Sequence, residues 1–148
     1  MAVAWLNRYA DSVYCIVRLL IGLMFASHGG QKILGFPPGE RGVATSPLGL
    51  TAGWIELTCG LLIAVGVLTR LAAFIASGEM AVAYFLTSFS GTTLNHAPTI
   101  LERLLPILNK GELPVLFCFV FLLILFHGPG RWSIDGLICA RSTTKSTT

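Results

Sequence analysis

The chain has 148 residues, of which 54% are hydrophobic and only 11% charged, and its mean hydropathy is +0.77. Soluble domains carry roughly 25% charged residues, so this composition excludes an ordinary soluble domain and points to a single membrane domain. The net charge of +3 comes without a Lys/Arg run, which removes support for nucleic-acid binding.

In chain order, residues 1–12 mix Trp5, Leu6 and Tyr9 with Arg8 and Asp11, the make-up of an interfacial lead-in whose rings sit at headgroup level. The first span is expected over about 13–30. Arg18 interrupts its apolar run and no small-residue cleavage site follows, so it reads as a retained span and not a signal peptide. Pro37, Pro38 and Gly39 with Glu40, Arg41 and Gly42 make a loop that cannot continue a helix. Ser46-Pro47 then reads as the N-cap and first residue of the second span, about 48–68, and Thr69-Arg70 as a tight connection. The third span is expected at about 71–89.

A polar loop follows over 90–110. Its 99–108 portion, with Ile100, Leu101, Leu104 and Leu105, reads as a short interfacial helix. Asn109-Lys110-Gly111-Glu112 resembles a capping box opening the fourth span, about 112–127, with Asn109 as cap and Glu112 at the third helical position. Gly128-Pro129-Gly130 ends that span at His127. Residues 13–138 form the membrane domain, and 139–148 read as a disordered polar tail. The expected fold class is therefore all-α, a four-helix transmembrane bundle with both termini on the same side. Arg8, Arg70, Arg131, Arg141 and Lys145 lie on that side, against Lys32, Arg41, Arg103 and Lys110 on the other. That count favours cytoplasmic termini.

Charge inside the spans is the most informative feature. Arg18, Glu56 and Glu79 each cost about 2.5–3.5 kcal/mol at the centre of a spanning helix, so they must pair or be used. At 1.5 Å per residue, Arg18 comes out roughly 8 Å and Glu79 about 12 Å from the terminal side, which makes Arg18–Glu79 an expected ion pair. Glu56, about 17 Å deep, has His28, about 23 Å deep, and Lys32 as its expected partners. Arg18, Lys32, Glu56 and Glu79 together are neutral. Small residues beside them, Gly53 and Gly60 on span two and Ala72, Ala76 and Ala83 on span three, would let helices close over the charges. The same charges also suit a packing role that fixes helix register.

The four cysteines, Cys15, Cys59, Cys118 and Cys139, are isolated and read as small apolar fillers, with neither disulfide nor zinc spacing. Cys59 and Cys118 fall at similar depth, where a thiol pair would need α-carbons within about 7 Å. His28 and His127 lie near opposite faces, too far apart to hold one haem iron. His96 falls on the His28 side, where the two could share a metal. The reading assigns no metal site.

Several motifs, taken in order, resemble the DoxX family of small four-span bacterial membrane proteins over Arg18 to Asp135. They are Arg18 with Leu19 to Gly22, His28-Gly29 with Lys32, Ala52-Gly53 with Glu56, and Gly60-Leu61-Leu62. Thr69-Arg70 with Ala72-Ala73, Asn109-Lys110-Gly111-Glu112, and Gly128-Pro129-Gly130 with Ser133 and Asp135 complete the set. Lys110 stands where the family usually has glycine, and Thr87-Ser88 where many members carry histidine. The resemblance implies the bacterial inner membrane. It also implies links to membrane redox complexes, in sulfur-compound oxidation feeding quinone or in oxidative and thiol-stress defence; some distant relatives are chaperones or assembly factors.

Three functions follow as expectations. The first is a quinone-linked membrane subunit of an oxidoreductase beside a protein partner, with Glu56 and His28 as proton-exchanging groups and Arg18, Lys32 and Glu79 as binding groups. The second is a non-catalytic scaffold, chaperone or assembly subunit. The third is a small-solute or proton pathway, which would need a second copy of the chain to enclose it.

Overall fold

The computed structural model describes residues 4–38, 42–92, 94 and 96–138. The expected loop residues Gly39, Glu40 and Arg41, together with the 139–148 tail and its Cys139, Arg141 and Lys145, lie outside these. The described chain is all-helical: α1 Ala4–Leu34, α2 Pro47–Val65, α3 Thr69–Ala83, a π-helical continuation Tyr84–Phe89, α4 Ile100–Leu104 and α5 Glu112–His127. Three of these runs, Trp5–Leu34, Pro47–Val65 and Thr69–Phe89, are long and apolar enough to cross a membrane, and Glu112–His127 is a shorter apolar helix.

α1 begins well before Val13 because no Gly or Pro breaks the stretch that carries Arg8 and Asp11, so the expected lead-in is helical from Ala4. Ser46 caps α2, its Oγ accepting from the Gly49 N–H, with Pro47 as first helical residue. α2 stops at Val65, short of Leu68. Gly66 takes the left-handed conformation there, and its N–H and that of Val67 both close onto Leu62 O.

The expected capping box at α5 does not form. Asn109 Oδ1 accepts from Gly111 N, two residues on, and Lys110 is left-handed at φ 58°. That Asx turn makes Gly111 the N-cap and Glu112 the first residue of the helix instead of the third. The capping box lies instead on α4, between Thr99 and Glu102, where Thr99 and Glu102 exchange backbone-to-side-chain bonds in both directions.

The helices close into an antiparallel ring in the order α1, α2, α3, α5. α1 and α2 meet backbone to backbone through Gly22 and Gly29 on one side and Gly53 and Gly60 on the other. α3 and α5 meet through Ala72, Ala73, Ala76 and Met80 against Phe117, Phe121 and Ile124, and Ser77 Oγ donates to Cys118 O at 2.9 Å. α1 meets α5 through rings: Phe25 lies 4.6 Å from Phe121 and 5.4 Å from Phe117, centroid to centroid, and Tyr14 stacks on His127. Large apolar side chains such as Phe74, Phe119 and Leu123 face outward, as a lipid-solvated bundle requires.

Both ends of the described chain lie at one end of the bundle. Arg131 reaches Asp11 at 3.8 Å, Trp132 N–H donates to Cys15 Sγ, and Asp135 N–H donates to Gly66 O.

Candidate functional site

Two polar centres sit at opposite ends of the bundle. At the end away from the termini, Lys32 on α1 donates from Nζ to Glu56 Oε1 on α2 at 2.6 Å. The glycine seam sets this contact, because Gly29 and Gly53 let the two backbones touch one turn away. Glu56 is 3% exposed, and its second oxygen, Oε2, has no hydrogen-bond partner among the described residues.

Glu56 lines a half-open cavity of about 380 Å³ to which α1, α2, α3 and α5 all contribute side chains. Phe25, Met80 and Phe117 form its apolar wall, and His28 stands beside it with its ring edge-on to Phe117. Glu79 on α3 is half-buried with Oε2 likewise unpartnered among the described residues, and it lies close enough to Glu56 and Lys32 to feel both charges. Lys110 lines the same cavity, so two ammonium groups accompany the two carboxylates, and Lys32 pairs directly with Glu56. The carboxylate oxygens left unpartnered among the described residues could each take a proton or a donor group on a ligand.

Arg18 does not join this centre, so the expected Arg18–Glu79 pair is absent. Arg18 is 2% exposed, donates from Nη2 to Trp132 O at 2.7 Å, and lies against Gly66 and Ser133. Those contacts fix it level with the α2–α3 turn, and Glu79 is about 15 Å further along α3. Counting from Val13 placed Arg18 too deep, because a side chain on a helix leans toward its N-terminus and a long stem follows. The four charges are thus not neutral as one group: Arg18 belongs with Asp135, and the other three stay together.

Asp135 does what sequence reasoning missed. Its Oδ1 accepts from Leu68 N–H and its Oδ2 from Thr69 N–H and Oγ1, capping α3 from the far end of the chain. Partial burial pushes its carboxyl up, but the Thr69 and Leu68 donors and the Arg18 charge outweigh that and hold it below its ordinary 3.8.

In the loop at the other end, His96 Nε2 lies 2.9 Å from Glu102 Oε1, so His96 is occupied there and not with His28. The Thr99 backbone N–H, then His96 and the Thr99 hydroxyl, hold the Glu102 carboxyl down at about 2. No group of three His, Cys, Asp or Glu among the described residues could hold a metal ion. Cys15, Cys59 and Cys118 are free thiols, and Cys15 and Cys59 are buried.

Thr87 and Ser88 were also missed as cavity residues. Both line it, and Ser88 is 2% exposed. They lie in the π segment, whose wider turn resets the register of everything beyond Ala83. Only a disagreement between the α-periodic pattern before Ala83 and the polar pair after it hinted at this.

Fold and site together define a multi-pass helical membrane protein with a buried, incompletely satisfied polar centre. The sequence profile of the DoxX family matches residues 13–88, and the chain belongs to that family. It is 36% identical over 133 aligned residues to an uncharacterized protein of Haemophilus influenzae, covering 88% of this chain and 93% of that one. It is 33% identical over 152 aligned positions to an uncharacterized membrane protein of Mycobacterium tuberculosis, covering 89% and 84%. No solved structure gives a significant match.

Proposed function

We propose that the chain is a quinone-linked subunit of a bacterial inner-membrane redox complex, with cytoplasmic termini and the quinone head held in the Lys32–Glu56 cavity. The observation that carries this reading is the buried Glu56 carboxylate, its Oε2 unpartnered among the described residues, in a cavity where Phe25, Met80 and Phe117 stand beside His28, Lys32, Thr87, Ser88 and Lys110. Such a cavity suits a flat, uncharged ring with two hydrogen-bonding oxygens. Lys32 spends one N–H on Glu56 and keeps two for a quinone oxygen. Glu56 and His28 are the groups placed to exchange protons, and Glu79 supports the charge of Lys32.

A bound quinone would supply the two-electron, two-proton chemistry. This chain would bind and orient the head, hold its protons and keep bulk water out, while a protein partner delivers or removes the electrons. Arg18 takes no part in holding the head in this scheme; it fastens the C-terminal segment through Trp132 O.

Mass spectrometry of the organic extract from protein purified in mild detergent tests the reading, with an unrelated four-span protein as control. Near-stoichiometric quinone, lost in Glu56→Gln at normal protein level, is the expected result. Quinone at the control level would refute it and leave the scaffold role, which the same buried charges also suit as packing devices.

A further inference from the structure

The Lys32–Glu56 cavity has a neighbour. A groove of about 550 Å³ runs between α2 and α3 on the outside of the bundle, and Lys32, Ala83 and Thr87 line both spaces. Glu56 faces the inner one and Glu79 the outer one. Small residues, Gly49, Ala52 and Gly78, form part of the groove, and exposed Leu48, Phe74 and Val82 flank them. A Cβ built on Gly78 meets nothing within 4 Å, so the trough is open there. An apolar trough lined also by Glu79 and Lys32 is not a plain lipid-facing surface, and its lining overlaps that of the inner cavity at Lys32, Ala83 and Thr87.

Resting on the quinone reading, we infer that this groove takes the isoprenoid tail of the quinone whose head occupies the inner cavity. The ligand enters sideways from the bilayer between α2 and α3 and passes Lys32 on the way. The lining that the two spaces share, Lys32, Ala83 and Thr87, selects this occupant, because a molecule with a polar flat head and a long apolar tail fills both at once.

The test uses the full chain in nanodiscs and two probes, a ubiquinone with a multi-isoprene tail and the tailless ubiquinone head. Gly78→Phe adds a ring to the trough at a position where a Cβ meets nothing within 4 Å, and Val82→Trp is the second variant should Gly78→Phe fail to accumulate. The expected result is an affinity for the tailed quinone lowered about tenfold, with the tailless head bound as by wild type.

An unchanged affinity for the tailed quinone overturns the inference, and so does an equal loss for both probes. If Gly78→Phe instead splits a dimer while tailed-quinone binding holds, the groove is a contact between copies and the inference is wrong. If wild type binds neither probe, the quinone reading itself fails and takes the groove with it.

Discussion

Gly60→Ala is the perturbation whose size the structure fixes best. A Cβ on Gly60 would lie 2.5 Å from Ala26 N and 2.7 Å from Gly22 O, both backbone atoms of α1. Ordinary contact begins near 3.4 Å, so α1 and α2 must separate by roughly 1 Å along a seam where neither backbone can bend away. Overpacking of this kind costs about 1–3 kcal/mol.

Gly78→Ala supplies the control. It too is a glycine inside a helix, but its Cβ would meet nothing, and alanine is the better helix former by up to about 1 kcal/mol. Both changes gain the same helix propensity, so Gly60→Ala should be the less stable of the two by the overpacking cost alone, about 1–3 kcal/mol. Unfolding by SDS in mixed micelles, read by tryptophan fluorescence with Trp54 on α2 as a reporter, measures both. If Gly60→Ala is as stable as Gly78→Ala, the α1–α2 seam is not the contact described, and the placement of Lys32 against Glu56 loses its support.

Three further outcomes follow from the same contacts. Lys32→Met alone should destabilise by about 3 kcal/mol, the lower end for a broken buried pair because Lys32 is 28% exposed. Lys32→Met with Glu56→Gln should return to within about 1 kcal/mol of wild type; additive losses in the SDS titration would mean the two residues do not act as a pair. Asp135→Asn should remove about 1 kcal/mol by weakening the cap on α3. Because the Asp135 carboxyl is held low in the folded protein, its contribution is full above the ordinary 3.8 and disappears as pH falls through the lower folded value. A stability profile that instead improves on acidification would contradict that sign. The α4 capping box should likewise persist below the ordinary Glu102 value of 4.5 and open only as pH approaches about 2, which amide exchange at Thr99 and Glu102 reports.

The all-helical membrane bundle was legible because long apolar runs separated by Pro/Gly loops leave few other folds. Helix ends were legible where one residue decides them, as at Ser46-Pro47 and Gly128. Asn109 misled because an Asx turn and an N-cap begin with the same residue type, and only the left-handed backbone at Lys110 separates them. The Thr99–Glu102 box had its full signature in the sequence, but a five-residue helix carries no periodicity to draw attention to it.

The Lys32–Glu56 contact could be reached from rise per residue and the glycines around it. The Arg18 partner could not, because it is a backbone carbonyl more than a hundred residues away, and carbonyls leave no mark in a sequence. Asp135 was visible only as a motif residue. Its role as a cap on α3 needed the fold that brings residue 135 back to residue 69.

Why the cavity stays open follows from the unequal seams of the ring. α1 and α2 touch through glycines, so Lys32 and Glu56 are held at a fixed separation and cannot drift apart to close a gap elsewhere. α1 and α5 do not touch in this way. Phe25, Phe117 and Phe121 stand between them as props, and the cavity begins where the last of these rings ends, with Phe25 and Phe117 in its wall. A tight seam beside a propped one leaves an opening that the helices cannot fill by sliding, since sliding would drive glycine-packed backbones into each other. At the terminal end Asp135 accepts three hydrogen bonds and Arg18 Nη2 donates to Trp132 O, while Arg18 Nε and Nη1 have no partner among the described residues and the guanidinium lies against Gly66. At the cavity end, Glu56 Oε2 and Glu79 Oε2 are buried and unpartnered among the described residues, and the fold keeps a space of about 380 Å³ beside Glu56. In hydrocarbon such oxygens have only water or a ligand to turn to, and the cavity is therefore where a ligand gains most by binding.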